Sequence, residues 1–136
     1  MFYEVAVKTD ARQQLVELTA TVQELITKSK VEAGLCVVFC PHTTAAVTLN
    51  SRMDPATRED LRHEIDRLVP TRTDFVHIFD TPSDAAGHIK ASLIGDQCTM
   101  IIDQGDLKLG SSQGLFFWEF DGPRSRKVYV KILESK

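Results

Sequence analysis

The spacing of apolar residues along the chain predicts a protein built mainly from β-strands. In Phe2–Lys8, the residues Tyr3, Val5 and Val7 fall on one face and alternate with Phe2, Glu4 and Ala6 on the other face, as in a half-buried strand. Other runs rich in β-branched and aromatic residues have the length of strands. Further strands are predicted at 12–18, 34–40, 45–50, 98–102, 114–120 and 126–133.

Apolar residues with a helical period predict a helix over about residues 20–30 and another that begins near residue 55. Thr21 begins a capping-box pattern and Thr19 is the alternative cap of the first helix. Asp54 followed by Pro55 is typical of an N-cap and a first helical turn. Helices are therefore inserted between groups of strands.

A third helix is predicted from a cap at Ser83 to Leu93. No repeat, low-complexity tract or linker divides the sequence, so residues 1–136 are interpreted as a single domain. Strands that dominate a chain with a few inserted helices favour the α+β class.

Composition excludes several classes of protein. The 136 residues are 43% hydrophobic and 26% charged, as in an ordinary globular protein. Sixteen Lys and Arg against nineteen Asp and Glu give a net charge of -3, which argues against general nucleic-acid binding. No run approaches the roughly 18 apolar residues of a membrane helix. We therefore expect neither nucleic acid nor membrane as a partner.

The cysteines favour a reducing, cytoplasmic location. Their number, three, is odd, which favours free thiols over a set of disulfides. The N-terminal segment has the pattern of a strand rather than of a secretory signal. Cys36 and Cys40 would share one face of a strand with Val38 between them. We interpret them, and Cys98, as small buried hydrophobic residues rather than as a redox or metal pair.

Three of the four histidines occupy positions that suit chemistry. His42 ends an apolar run, His77 lies between two apolar residues of a predicted strand, and His88 follows Asp84 by one helical turn. Three imidazoles are one ligand set of catalytic zinc, and Asp84 can orient a ring. The alternative is a capping, a strand and a surface histidine with no common role, while His63 belongs to a solvated helix face.

Two segments can bind an anion. The glycine-rich residues 103–114 either connect a hairpin, which we favour, or present backbone amides to phosphate. Arg124 and Arg126 are two residues apart, so in extended backbone they form a phosphate clamp, with an exposed turn as the alternative. Thr43 and Thr44 bind a ligand or simply end a strand.

Four stretches, in order, resemble the YjbQ-type family, whose members are labelled secondary thiamine-phosphate synthases. The stretches are VVFCPHTTAAVTLN at 37–50, HIKASLIG at 88–95, LKLG with QG at 107–114, and WEFDGPR followed by Arg126 at 118–126. The resemblance spans the chain and implies an α+β fold with a two-sheet, sandwich-like core, two to three inserted helices and assembly as a homotrimer.

The resemblance also implies a pocket that binds a phosphorylated small molecule. This pocket gathers His42, His77 and His88, which we expect to bind zinc or another divalent ion, with Asp84 behind them. The resemblance also places Gln113, Arg124 and Arg126 in the pocket. We expect Gln113, with Thr43 and Thr44, to bind the substrate and the two arginines to be the catalytic cations.

The activity implied is weak synthesis of thiamine phosphate from a pyrimidine pyrophosphate and a thiazole phosphate. A non-catalytic trimer that binds metal or a small ligand, and a metal-dependent hydrolase of a phosphorylated metabolite, are the alternatives. Ser51 stands where the family commonly has glutamate, and Ser112 where it usually has tryptophan. The missing carboxylate shifts the expectation towards binding.

Overall fold

The computed structural model describes residues 1–136 and contains eight strands and three helices. The strands are β1 (Phe2–Lys8), β2 (Gln14–Glu17), β3 (Gly34–Phe39), β4 (Ala45–Ser51), β5 (Gln97–Asp103), β6 (Asp106–Leu107), β7 (Gln113–Glu119) and β8 (Ser125–Glu134). The helices are α1 (Thr19–Ser29), α2 (Pro55–Leu68) and α3 (Pro82–Ile94). The predicted α+β class is confirmed, and none of the helices has both the length and the apolar character needed to cross a membrane.

The strands form two antiparallel sheets. One has the order β1-β8-β3-β5-β6, and the other has the order β2-β7-β4. Their inner faces pack against each other and against α1, since one buried cluster includes Cys36 and Val130 of the first sheet, Phe117 of the second, and Val22 and Ile26 of the helix. Burial of these apolar side chains is the main force that holds the two layers together.

The cysteines are buried as the alternation in β3 predicts. Cys36, Val38 and Cys40 point into the core and are at most 2% exposed. Burial raises the pKa of Cys36 and of Cys40 to about 11, and it does the same for the half-buried Cys98. All three thiols therefore remain protonated at neutral pH. The interpretation as small buried hydrophobic residues is confirmed for Cys36 and Cys40, whereas Cys98 is only partly buried against the core.

The start of α1 differs from the capping box that the sequence suggested. Leu18 is the N-cap, and no side chain caps the helix. The Thr19 hydroxyl instead accepts a hydrogen bond of 2.9 Å from the backbone N–H of Leu115. Thr19 thus connects α1 to the second sheet, and the prediction of Thr21 or Thr19 as the cap is wrong.

The other two helices begin after a capping side chain and a first-turn proline. Asp54 accepts a hydrogen bond from the N–H of Ala56, as predicted for α2. α3 is capped by Thr81 and not by Ser83, because the Thr81 hydroxyl accepts a hydrogen bond of 3.1 Å from the N–H of Asp84. This cap fixes the first turn of α3, which carries the carboxylate of the candidate site.

The glycine-rich segment contains a hairpin. Asp103 of β5 pairs with Asp106 of β6, leaving Gln104 and Gly105 as a two-residue turn. Both turn residues have positive φ, 53° and 77°, as a tight turn between twisted strands requires. The hairpin interpretation is confirmed for this part of residues 103–114.

Candidate metal site

A carboxylate and two imidazoles meet at the first turns of α3. Asp84 and His88 are four residues apart and share a helix face, and His77 comes from the segment that precedes the helix. Asp84 Oδ2 lies 2.8 Å from His77 Nε2 and 3.3 Å from His88 Nε2. The potential ligand atoms of the three residues lie within 4.8 Å of one another. We call His77, Asp84 and His88 the triad.

His77 reaches the triad from irregular backbone, not from a strand. The segment between α2 and α3 contains neither strand nor helix. Val76 and Ile78, the apolar residues on either side of His77, are 98% and 80% exposed. The strand prediction for this segment is wrong because its apolar residues do not pack into the core.

The triad has one negative charge to offer a cation. Burial by itself raises the pKa of Asp84, but the hydrogen bond from His77 and the charge of His88 outweigh it and hold the pKa below its ordinary value. The Asp84 side chain is only 9% exposed, whereas those of His77 and His88 are 43% and 41% exposed. An ionised carboxylate therefore lies behind two imidazoles that solvent reaches.

His42 lies outside the triad and completes a strand edge. The pairing of β3 with β8 ends at Phe39 and Tyr129, which leaves the backbone of Lys127 without a strand partner on that side. The N–H of Lys127 donates a hydrogen bond of 3.0 Å to His42 Nε2. Burial, and then the charge of Arg126, lower the pKa of His42, so the ring is neutral. The predicted convergence of three histidines is thus replaced by two histidines and Asp84.

A cavity of about 400 Å³ nevertheless joins His42 to the triad. His42 and Thr43 form one wall, and His88 forms another. Ser92 and Asp96 line its remaining polar surface. The cavity is large enough for a small metabolite.

Arg126 contacts Thr44, the neighbour of the cavity residue Thr43, and forms a buried ion pair with Glu119. Its guanidinium donates from Nε to Glu119 Oε1 at 2.8 Å and from Nη2 to the Thr44 hydroxyl at 2.8 Å. The Glu119 side chain is fully buried and that of Arg126 is 7% exposed. Burial raises the pKa of Glu119, but hydrogen bonds from Arg126, Asp121 and Thr9 hold it below its ordinary value. The charge of Arg126 is therefore already compensated.

Glu119 is a buried, ion-paired residue near the candidate site that reasoning from sequence did not single out. It occupies a buried position in β7 between the aromatic residues Trp118 and Phe120. A carboxylate in so apolar a run was the available signal, because a buried charge requires a partner.

Arg124 occupies a different position from Arg126. Its Nη2 lies 2.7 Å from Asp121 Oδ2, and its side chain is 49% exposed. The hydrogen bond with Asp121 raises the pKa of Arg124, burial lowers it, and the nearby charges of Asp121, Glu119 and Asp84 raise it further. The two arginines pair with separate carboxylates, and only Arg124 has a guanidinium that solvent reaches.

Gln113 is at the far end of β7. Its Oε1 accepts a hydrogen bond of 2.8 Å from the N–H of Gly110 and so closes the loop before the strand. Glu119, which is next to the candidate site, is at the other end of this strand. At about 3.3 Å per residue the two ends are roughly 20 Å apart. Within one chain, Gln113 does not reach the triad.

Comparison with known proteins identifies the family. The sequence model described as UPF0047 protein YjbQ-like matches residues 3–135 of the chain. The chain belongs to the YjbQ family. The resemblance found in the sequence motifs is thereby confirmed.

Relatives in the YjbQ family align with the chain over nearly its full length. A UPF0047 protein of Methanocaldococcus jannaschii is 43% identical over 100% of this chain and 96% of its own length. The UPF0047 protein YugU of Bacillus subtilis is 32% identical over 98% of this chain and 99% of its own length. These names state no activity.

Solved structures have the same fold. A crystal structure of an uncharacterized YjbQ/UPF0047 protein from Clostridium acetobutylicum has a TM-score of 0.91 at 43% identity, covering 96% of this chain and 99% of that one. A hypothetical protein of Aeropyrum pernix has a TM-score of 0.93 at 34% identity, covering 99% of both chains. The two-sheet architecture is therefore that of the YjbQ family.

Proposed function

We propose that this YjbQ-family protein binds a divalent metal ion, zinc, at the triad and uses it to bind a phosphorylated small molecule. The observation that carries the proposal is the meeting of three ligand atoms within 4.8 Å. Two imidazoles with one carboxylate are a ligand set of catalytic zinc, which keeps its fourth position for water or substrate. Bound zinc would supply Lewis-acid binding of a phosphoryl oxygen.

The accessibility of the triad supports this assignment. His77 and His88 are less than half exposed, and Asp84 closes the buried side, so an ion held there would have its open position towards solvent. His88 also borders the cavity with His42 and Thr43. A ligand whose phosphoryl group is at the triad would extend its polar part into that cavity.

We assign different roles to the polar residues around the cavity. Exposed Thr43 donates a hydrogen bond to the ligand, whereas Thr44 is buried and engaged by Arg126. Arg126 and Glu119 then act as positioning residues, because Arg126 holds Thr44 and thereby the end of the cavity wall that Thr43 forms. Arg124 is the cation that reaches the ligand, after exchanging its contact with Asp121 for one with the substrate anion.

The reaction that we propose is the weak thiamine-phosphate synthesis implied by the family resemblance. A thiazole nitrogen forms a bond to the methylene carbon of a pyrimidine pyrophosphate, the bond from that carbon to oxygen breaks, and pyrophosphate leaves with the bonding electrons. Negative charge therefore grows on the departing group, where Arg124 stabilises it. The chain needs no nucleophilic side chain for this step.

Loss of one triad ligand is expected to abolish tight zinc binding. His77→Ala should weaken zinc binding by more than the roughly 10–100-fold that follows loss of an outer-shell partner, because it removes a ligand itself. His63→Ala is the matched control, since His63 is exposed on α2 and outside the triad. Isothermal titration of metal-free protein measures both affinities, and equal zinc affinity in the wild type and in His77→Ala would contradict the site.

Removing Arg124 is expected to reduce turnover without unfolding the protein. Arg124→Ala should slow thiamine phosphate formation, because it should raise the activation free energy by about 2–4 kcal/mol, as loss of one preorganised electrostatic donor does. Circular dichroism checks the fold, which should persist because the side chain is 49% exposed. Equal rates for the two proteins would eliminate this role.

Ligand binding without catalysis is the second candidate function. It is favoured by Ser51, where the family commonly has a glutamate, and by the pairing of both arginines with carboxylates. Zinc-dependent binding of the phosphorylated substrates, with no product formed by the wild type, would establish this alternative.

We further propose that the chain assembles as a homotrimer. Leu133, Leu35 and Ile101 lie side by side on β8, β3 and β5 and are 47%, 41% and 59% exposed, an arrangement more suited to an interface than to solvent. A neighbouring chain could also bring its Gln113 to the triad, which is out of reach within one chain. Light scattering should give about three times the 15.2 kDa chain mass, and a mass near 15.2 kDa would contradict the trimer.

A further inference from the structure

Residues 70–80, between α2 and α3, are joined to the rest of the protein by very few contacts. This segment, which we call the strap, contains no helix or strand. Its backbone makes no hydrogen bond, either within the strap or to other parts of the chain. Such a segment depends on side-chain contacts for its position.

One side chain provides the polar contact between the strap and the rest of the protein. His77 bonds to Asp84 of α3 at 2.8 Å. The other polar contacts of the strap are internal, namely an ion pair between Arg72 and Asp74 and the stacking of Arg72 on Phe75. The residue that tethers the strap is therefore a ligand of the triad.

The strap also forms one wall of an apolar cavity beside the triad. Phe75, Val76 and His77 line it on one side. Ala85, His88 and Ile89 of α3 line it on the other, and its volume is about 430 Å³. This cavity exists only while the strap lies against α3, and it is more apolar than the one that contains His42.

We propose that a metal ion at the triad fastens the strap to α3 and thereby forms a pocket for the apolar body of an anionic ligand. The inference rests on the metal site proposed above. Without metal, the strap is attached by one hydrogen bond between a half-exposed histidine and a carboxylate. With metal, the same histidine and two residues of α3 share an ion, so detaching the strap would break a coordination bond.

The position of the metal defines the class of ligand. An anionic group, such as a phosphate or phosphonate, would occupy the open position of the ion. An apolar group attached to it would lie between Phe75 and Ile89, where contact with the strap removes it from water. The preferred ligand is thus an anion with an apolar body rather than a free inorganic anion.

Limited trypsin digestion tests the fastening. Arg72 is in the strap, and Arg52 is in the loop between β4 and α2, so each sample contains its own control site. Zinc should slow cleavage after Arg72 by about tenfold, because cleavage follows the population of the open segment, and should leave cleavage after Arg52 unchanged. His63→Ala should behave as the wild type, and His77→Ala should lose the protection.

Zinc occupancy is measured in the same samples by titration against a chromophoric chelator. Bound zinc with unchanged cleavage after Arg72 would overturn this inference and leave the proposed metal site standing. Absence of zinc uptake would overturn both.

Two phosphonates test the pocket in the zinc-loaded protein. Phenylphosphonate should bind about tenfold more tightly than methylphosphonate, as expected from partial burial of one ring. Ile89→Ser should remove this preference while leaving methylphosphonate binding unchanged, and Ile89 is 41% exposed, so the variant is expected to fold. Equal affinities for the two phosphonates in the wild type would overturn the pocket.

Discussion

Glu119→Gln is expected to lower the free energy of unfolding by about 3–5 kcal/mol at neutral pH, as removal of one partner from a buried ion pair does. Glu119 is fully buried, and its carboxylate accepts hydrogen bonds from Arg126, Thr9 and the backbone N–H of Asp121. Glutamine preserves the shape but leaves the guanidinium of Arg126 buried without an opposite charge. Urea denaturation followed by circular dichroism measures the loss.

The pH dependence of this difference follows from the lowered pKa of Glu119. A carboxyl group whose pKa is lower in the folded state stabilises the fold fully above its ordinary pKa of about 4.3. That contribution is lost as the pH falls through the lower folded value. The glutamine variant has no such titration, so the stability difference should shrink as the pH falls from about 5 towards 3.

Arg124→Ala provides the control for burial. Arg124 makes a comparable ion pair with Asp121, but its side chain is 49% exposed. Its removal should lower the free energy of unfolding by about 1 kcal/mol or less, the usual range for exposed ion pairs. If Glu119→Gln and Arg124→Ala destabilise the protein equally, burial does not determine how much the Glu119 ion pair contributes to stability.

The strands and helices could be predicted where periodicity and burial agree. β1 has the predicted bounds, Phe2–Lys8, and α2 begins after Asp54 as the cap and proline indicated. The segment around His77 alternates in a similar way, yet it forms no strand because its apolar residues face solvent. Alternation therefore identifies a strand only when one face meets a core.

The candidate site could be predicted only in part, because its ligands meet through tertiary structure. The spacing of Asp84 and His88, four residues apart in a predicted helix, was enough to predict from sequence that their side chains are neighbours. Spacing could not show that His77 would approach the same carboxylate oxygen, or that His42 would bond to the backbone of Lys127 instead. These contacts depend on where β3 ends and on the path of the chain between α2 and α3.

Asp66→Ala is expected to destabilise the protein by about 3 kcal/mol, since it leaves a buried ammonium group without a partner. Lys90 of α3 is 1% exposed in its side chain, and its Nζ lies 2.6 Å from Asp66 Oδ1 of α2. Arg12 bonds to the other oxygen of Asp66 at 2.9 Å. Asp66 thus joins the two helices to the loop before β2, and thermal unfolding measures its contribution.

A second substitution separates the unpaired charge from the loss of the carboxylate itself. Lys90→Met in the Asp66→Ala background should recover most of the lost stability, because an apolar side chain of similar length fills the buried position without a charge. Asp60→Ala is the matched control on α2, an exposed acid without an ion pair, and should change stability by less than about 0.5 kcal/mol. If Lys90→Met fails to rescue Asp66→Ala, the cost comes from lost contacts of Asp66 and not from the buried ammonium of Lys90.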